Sequence, residues 1–286
     1  MHTTEYVYES EVSESYGELY MLPRDTPGQV CRSTRVRIDP APHGYRERRD
    51  FYGNRVAHFA VLDAHTLLSV TAESVVDVTG GLPLPADEPW ETARHRLRVD
   101  LGDDIVEARG FLLDSPKVVG SPAVRHYAGE SFRPGRPLVE ALAELTSRIH
   151  ADFAFDPGST SVRTTVSEVL ERRSGVCQDF AHLAVGCLRS LGLAARYVSG
   201  YLETRPPPGR PRLVGADVSH AWASVFVPGS GWVDIDPTNN RFVSDRYVTT
   251  AWGRDYGDVP PLKGIIYTES KKNELRVSVD VAPLDG

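Results

Sequence analysis

Three cysteines occur in this chain of 286 residues, Cys31, Cys177 and Cys187, and Cys177 alone stands where a thiol can become a nucleophile. Ser174-Gly175 allows a tight turn just before it. The segment that follows carries Phe180, Ala181, Ala184, Cys187, Leu188 and Leu191 at helical spacing, so a helix is expected to begin at Cys177 and to stop at Gly192. A thiol in the first turn of a helix feels the positive end of its dipole, which favours the thiolate. The N–H groups of the same turn can receive an oxyanion. Cys187 lies on the apolar stripe of that helix and reads as packing, as does Cys31 in a strand-like region. Ten residues of helix span about 15 Å, well past the roughly 7 Å Cα limit for a disulfide, so Cys177 and Cys187 are expected to remain unpaired.

A cysteine nucleophile needs a base. Of the nine histidines, His220 is the best placed, because it opens a strand whose alternate positions are Trp222, Ser224 and Phe226, so a large aromatic shares its face and can shield the reaction from water. His182 follows Cys177 by five residues on the helix, which turns it away from the thiol. The other histidines, His150 among them, have no supporting constellation. An acid is then needed to hold the imidazole through its second nitrogen. A hairpin through Pro228-Gly229-Ser230-Gly231 leads into a strand ending in Asp234-Ile235-Asp236-Pro237-Thr238. Asp234 and Asp236 share a strand face, and spacing leaves both open.

The elements that must position these groups are legible in part. From Glu5 to about Ser115 the chain reads as short alternating strands, such as 5–8, 34–38, 55–61 and 67–72, separated by turn residues, which suggests an antiparallel sandwich. Amphipathic spacing predicts helices over 138–153, 165–172 and 177–191, the first opened by Pro137. Strand-like runs follow at 195–201, 221–227, 231–236, 264–267 and 275–281. Helices followed by strands indicate an α+β fold. A boundary is expected after Pro116, giving a β-sandwich domain over 1–116 and a second domain over 117–286. The breaker-rich stretch 80–87 reads as a loop or a boundary, and Pro206-Pro207-Pro208-Gly209 as a stiff surface excursion.

Composition narrows the functional classes. With 41% hydrophobic and 25% charged residues the chain matches ordinary globular proteins. A formal charge of -7 gives no electrostatic case for nucleic acid or an anionic membrane as partner. The N-terminus has neither the basic start nor the apolar run of a secretory signal, so a cytoplasmic location is expected. The odd cysteine count without a C-x-x-C pair argues against a disulfide framework and a Cys-rich zinc site.

Four blocks in order, Ser174 to Ala181, Gly192 to Tyr201, Ser219-His220-Ala221-Trp222 and Gly231 to Asn239, resemble the transglutaminase-like superfamily in its bacterial form. The segment Gly253 to Gly264 resembles that form's C-terminal signature. Leu22-Pro23-Arg24 and Asp50-Phe51-Tyr52-Gly53-Asn54 resemble its β-rich N-terminal region. The resemblance implies a papain-like α+β core with a Cys177, His220, Asp236 triad, the Asp-Pro-Thr motif selecting Asp236 over Asp234. Animal transglutaminases place a Trp upstream of the cysteine as an oxyanion donor, whereas the nearest upstream Trp here is Trp90, in the expected first domain. The backbone N–H of Cys177 is then the candidate donor, joined by Gln178, with Tyr201 and Trp222 as candidate cleft walls. No acidic loop has calcium-ligand spacing. The expected chemistry is acyl transfer on an amide or peptide bond through a thioester, with hydrolysis favoured over transfer to an amine, no cofactor, no metal, and a protein, peptide or small amide as substrate. Two rivals use the same residues: a non-catalytic interaction module on the same fold, and a zinc hydrolase, for which the ligand spacing is wide.

Overall fold

The computed structural model describes residues 1–79, 84, 88–203, 219–268 and 273–284. The excursion at 206–209 and most of 80–87 lie outside the described residues. The chain opens with five strands, β1 (His2–Leu19), β2 (Gln29–Asp39), β3 (Gly44–Arg49), β4 (Arg55–Val61) and β5 (His65–Val78). There the all-β stretch ends. Residues expected to continue it form α1 (Trp90–Val99), α2 (Asp103–Ala108) and a 3-10 turn over Arg109–Leu112. The physical reason lies in burial: Trp90, Ala93 and Leu97 are buried at helical spacing between exposed or half-buried charged residues, a stripe that short alternating runs obscure.

Next come α3 (Pro122–Ser131), α4 (Leu138–Asp152), the two-residue β6 (Ala154–Phe155), α5 (Val166–Arg172), the two-residue β7 (Ser174–Gly175) and α6 (Cys177–Ser190). The predicted helices over 138–153, 165–172 and 177–191 match α4, α5 and α6. The helix α3 was not foreseen, although Ser121 caps it and Pro122 occupies its first turn. Five strands follow, β8 (Ala195–Leu202), β9 (Ser219–Val227), β10 (Gly231–Asp236), β11 (Arg241–Phe242) and β12 (Tyr247–Gly253), in the sheet order β11-β10-β9-β8-β12. One face of this sheet packs on the helices, where Leu183, Ala184, Cys187 and Leu188 of α6 meet Ala195, Ala223, Val225 and Ile235. Part of the other face, Phe226 and the adjacent Ala194, is covered by Leu97, Ile105, Ala108 and Phe111.

The chain ends on β13 (Leu262–Thr268) and β14 (Asn273–Val279), both antiparallel to β1. The first half of β1 pairs with β5 and β14, and its second half with β4 and β13, with register shifts between Val7 and Glu14. One long strand thus belongs to two four-stranded layers, β2-β5-β1-β14 and β3-β4-β1-β13, whose side chains share one core around Val12, Leu19, Phe59, Val61 and Val70. Packing crosses the boundary expected after Pro116 in both directions: β13 and β14 complete the N-terminal sheet, and Trp90 and Ala93 enter the helical core.

Two side-chain amides join the halves. The strand β12 lies at a sheet edge, where unpaired peptide groups need partners. Gln29 donates to the Thr249 carbonyl at 2.8 Å and accepts from the Thr249 N–H at 2.7 Å. Asn54 does the same for Trp252, at 2.8 and 3.0 Å. Arg24 lies 3.1 Å from the centroid of the Trp252 ring and bonds the side chain of Asn54. Among the described residues, no helix is long and apolar enough to cross a membrane.

Candidate active site

The first turn of α6 is shaped by Asp179. Its carboxylate accepts from the Val176 N–H at 2.9 Å and from the Thr160 hydroxyl at 2.6 Å, which fixes the chain just before Cys177. Burial raises the Asp179 pKa, opposed by the same two hydrogen bonds. Gly175 is required here by close approach, since a Cβ at that position would stand 2.8 Å from the Asp179 Cβ. Cys177 is a free, half-buried thiol packed among Ala181, Tyr197 and Ala221. The N–H groups of Asp179 and Phe180 bond the Val176 carbonyl, and those of Cys177 and Gln178 come too early in the helix to have a partner within it.

His220 comes from β9, where it pairs with Gly200 of β8. Any side chain at Gly200 would collide with the Val248 carbonyl at 2.1 Å and with the Trp222 ring at 2.5 Å, so glycine is what lets the strands and that indole close around the histidine. The imidazole is buried, 7% exposed. Its Nε2 is 2.7 Å from Asp236 Oδ2, which leaves Nδ1 to serve the sulfur. Burial works against charge on this ring, but the hydrogen bond with Asp236 and the nearness of Cys177 outweigh it and raise the pKa to about 10.

Asp236 is fully buried yet well satisfied. It takes hydrogen bonds from five donors: His220, the Tyr247 hydroxyl at 2.7 Å, the Asn239 amide at 2.7 Å, and the N–H groups of Thr238 and Asn239 at 2.9 and 3.2 Å. Burial alone would raise its pKa; the bonds from His220, Asn239 and Tyr247 bring it below the ordinary carboxylate value. The strand face shared by Asp234 and Asp236 is thereby resolved in space, because His220 meets Asp236. Asp234 instead accepts from the Trp222 indole at 3.3 Å, and its Oδ1 has no partner.

The other expected residues fall in different places. Gln178 is buried in the first turn beside Cys177. Trp222 is fully buried under His220, ring centroids 6.1 Å apart, with its N–H committed to Asp234. The Tyr201 hydroxyl bonds His2 of β1 at 2.9 Å. Trp90 donates its indole N–H to the Arg133 carbonyl at 3.0 Å and is not an oxyanion donor. Burial pushes the His182 pKa down to about 3, and its Nε2 accepts from the Tyr256 N–H. Burial pushes the Cys187 thiol up to about 12. Tyr247, Thr160 and Asp179 escaped the sequence reading; of these only Asp179, in the first turn, carried a local capping signal. His150 bonds the Thr238 carbonyl at 2.9 Å and so braces the loop after Asp236. Among the described residues, no three His, Cys, Asp or Glu side chains are grouped to hold a metal ion.

Two family models match this chain: the bacterial transglutaminase-like N-terminal region over residues 1–77 and the transglutaminase-like superfamily core over 125–237. An uncharacterized protein of Mycobacterium tuberculosis is 48% identical over 294 residues, covering 100% of this chain and 92% of that protein. A protein-glutamine gamma-glutamyltransferase of Pseudomonas aeruginosa is 34% identical over 124 residues, which is 42% of this chain and 18% of that protein. Among solved structures, a candidate cysteine protease from Cytophaga hutchinsonii superposes with a TM-score of 0.73 at 23% identity, covering 99% of this chain and 91% of that one, a likeness of fold. By fold, by both family models and by a relative that covers this whole chain, this chain belongs to the transglutaminase-like superfamily in its bacterial form.

Proposed function

We propose that the protein is a cysteine-dependent acyl-transfer enzyme acting on amide or peptide bonds, with Cys177 as nucleophile, His220 as base and Asp236 orienting the imidazole. The observation that carries this reading is the single buried ring of His220, hydrogen-bonded to the Asp236 carboxylate at 2.7 Å and close enough to Cys177 for the thiol to raise its pKa. His220 takes the thiol proton, and the thiolate attacks the carbonyl carbon of the bound amide. Charge develops on the carbonyl oxygen, where the N–H groups of Cys177 and Gln178 can receive it. The imidazolium returns its proton to the departing amine as the C–N bond breaks, leaving a thioester on Cys177. Water, activated by the now neutral His220, then adds to the thioester, releasing a carboxylic acid and restoring the thiol. Hydrolysis is favoured because water is always at hand. Transfer to an amine is the second reading, supported by the partial match to the Pseudomonas gamma-glutamyltransferase.

Iodoacetamide labelling at neutral pH is the first test: Cys177 should react far faster than Cys187, and His220→Ala should slow Cys177 alone. Equal rates for the two cysteines in the folded protein would favour a non-catalytic module. Intact mass spectrometry with peptide amides, in the presence and absence of a primary amine, then separates hydrolysis from transfer. Acid product in both conditions means hydrolysis, and amine adducts mean transfer.

A further inference from the structure

A cavity lies away from Cys177. About 420 Å³ of space lies against the face of the five-stranded sheet opposite α6, bounded by Gln29 at the start of β2, Glu107 of α2, Trp232 and Asp234 of β10 and Trp252 of β12. Neither Cys177, His220 nor Asp236 lines it. The volume falls within the range of about 300–1,000 Å³ usual for small-molecule sites, and the position between two packed units is where such sites concentrate.

Its lining holds two opposite charges, Arg196 and Asp234, that attract each other without a direct hydrogen bond between them. Arg196 is 6% exposed and lies between two indoles, 3.9 Å from the Trp232 centroid and 3.5 Å from that of Trp252. It makes no hydrogen bond and no ion pair with a described residue, and its Nε is buried without a partner. Burial lowers its pKa to about 9, so it stays charged at neutral pH. Asp234, on the same cavity wall, has one oxygen bonded by Trp222 and the other, Oδ1, buried and unpartnered. Two opposite buried charges at bonding distance would normally pair, since each is costly alone. Here the indoles flank the guanidinium and the Trp222 N–H bonds the carboxylate, and the two charges attract each other without a direct hydrogen bond.

We propose that this cavity is a binding site for a small zwitterion, a free α-amino acid or dipeptide, whose carboxylate bonds Arg196 and whose ammonium bonds Asp234. The charge of the lining selects this class. The lining carries one guanidinium and three carboxylates, exposed Asp104 and Glu107 and half-buried Asp234, so a simple anion meets net repulsion and a simple cation meets Arg196. A molecule carrying both charges adds an opposite charge to each side of the lining. A planar guanidinium clamped on both faces by indoles also presents its N–H edge without rotamer loss, which suits a carboxylate. Tyr247 lines the same cavity while its hydroxyl holds Asp236, so an occupant would touch a residue that supports the imidazole.

The test is equilibrium binding to the full-length wild-type protein, read by calorimetry and by thermal unfolding, with L-alanine, L-glutamine and glycylglycine at up to on the order of 10 mM. N-acetyl-L-alanine lacks the ammonium and L-alaninamide lacks the carboxylate. At least one zwitterion should bind saturably and raise the unfolding temperature, and each blocked form should bind about tenfold more weakly or not at all. Arg196→Met and Asp234→Asn should each lose binding by a similar factor while unfolding cooperatively. The analogue series is decided on wild type alone, so a variant that fails to fold leaves the test intact. Absence of any zwitterion binding, equal binding of blocked and free forms, or binding retained in folded Arg196→Met would each overturn the proposal.

Discussion

Asp236 and Asp234 stand two residues apart on β10 with their side chains on the same strand face, and the protein treats them in opposite ways. Asp236 collects five hydrogen bonds and its pKa falls below the ordinary value; Asp234 has an oxygen without a partner and burial raises its pKa. A buried carboxylate with full hydrogen bonding is a fixed charge, suited to holding an imidazole in one orientation. A half-buried carboxylate with one oxygen bare keeps its charge mainly through the attraction of Arg196. The difference teaches that strand position alone does not assign a role; the donors that reach each oxygen do.

The largest effect should come from breaking the satisfied member. Asp236→Asn keeps the volume but offers His220 the wrong partner, and loss of imidazole orientation in such a triad costs about 10⁴ in rate. Cys177 turnover of a peptide amide should fall by about that factor, measured at saturating substrate. A loss under about tenfold would mean that another group orients His220.

The pH dependence of stability should separate the two carboxylates by sign. Asp236 has a lowered folded pKa, so its contribution is present above its unfolded value of 3.8 and is lost as pH falls through the folded one. Asp234 has a raised folded pKa, so it opposes folding as pH climbs from 3.8 through that raised value. His220 extends the pattern upward: its pKa rises from 6.5 to about 10, so its stabilisation is complete below 6.5 and is lost as pH rises through about 10. Denaturant unfolding from acid to alkaline pH should show stability falling between neutrality and pH 10 in wild type, and a much flatter alkaline limb in Asp236→Asn. An equal alkaline loss in both proteins would show that the His220 charge does not depend on Asp236.

A smaller effect is expected from Tyr247→Phe, which removes one of the five donors and no packing volume. Hydrogen bonds to charged groups are worth about 1.5–3 kcal/mol, so unfolding free energy should drop by that amount, and the acid limb of the turnover profile should move to higher pH as Asp236 holds its proton more readily. A stability loss without movement of the acid limb would make Tyr247 a packing residue only.

What the sequence made legible follows the range of the interactions. Cys177 at a helix start, the His220 strand and the hairpin to Asp236 are local patterns, and α4 to α6 and β8 to β10 lie where periodicity puts them. The choice between Asp234 and Asp236 needed the Asp-Pro-Thr motif, because period-2 alternation cannot distinguish residues on one face. Tyr247 and Thr160 reach the site only through tertiary folding, and nothing near them in sequence announces it. The pairing of β13 and β14 with β1 was hidden for the same reason, as were the amide clamps of Gln29 and Asn54 on the edge of β12. The misread helices over 90–131 carry their apolar residues thinly among charges and turn residues, so tertiary burial settles what the pattern leaves weak.

The smallest effect should come from the unsatisfied side of the comparison. Arg196→Met removes a buried guanidinium that makes no direct hydrogen bond to Asp234, so the desolvation cost relieved offsets the attraction to Asp234 and to the two indoles. Cation–π contacts that are shielded from water contribute about 2 kcal/mol, and a methionine thioether recovers about 0.3–1.5 kcal/mol against the same rings. The net change in unfolding free energy should therefore stay within about 1 kcal/mol, measured by denaturant titration without added amino acids. Asp236→Ala, which strips the partner from a buried imidazolium, should cost about 3–5 kcal/mol in the same experiment. If Arg196→Met proved as costly as Asp236→Ala, the guanidinium would be a structural cation locked by the indoles, and the contrast between a fixed charge and an open one would collapse.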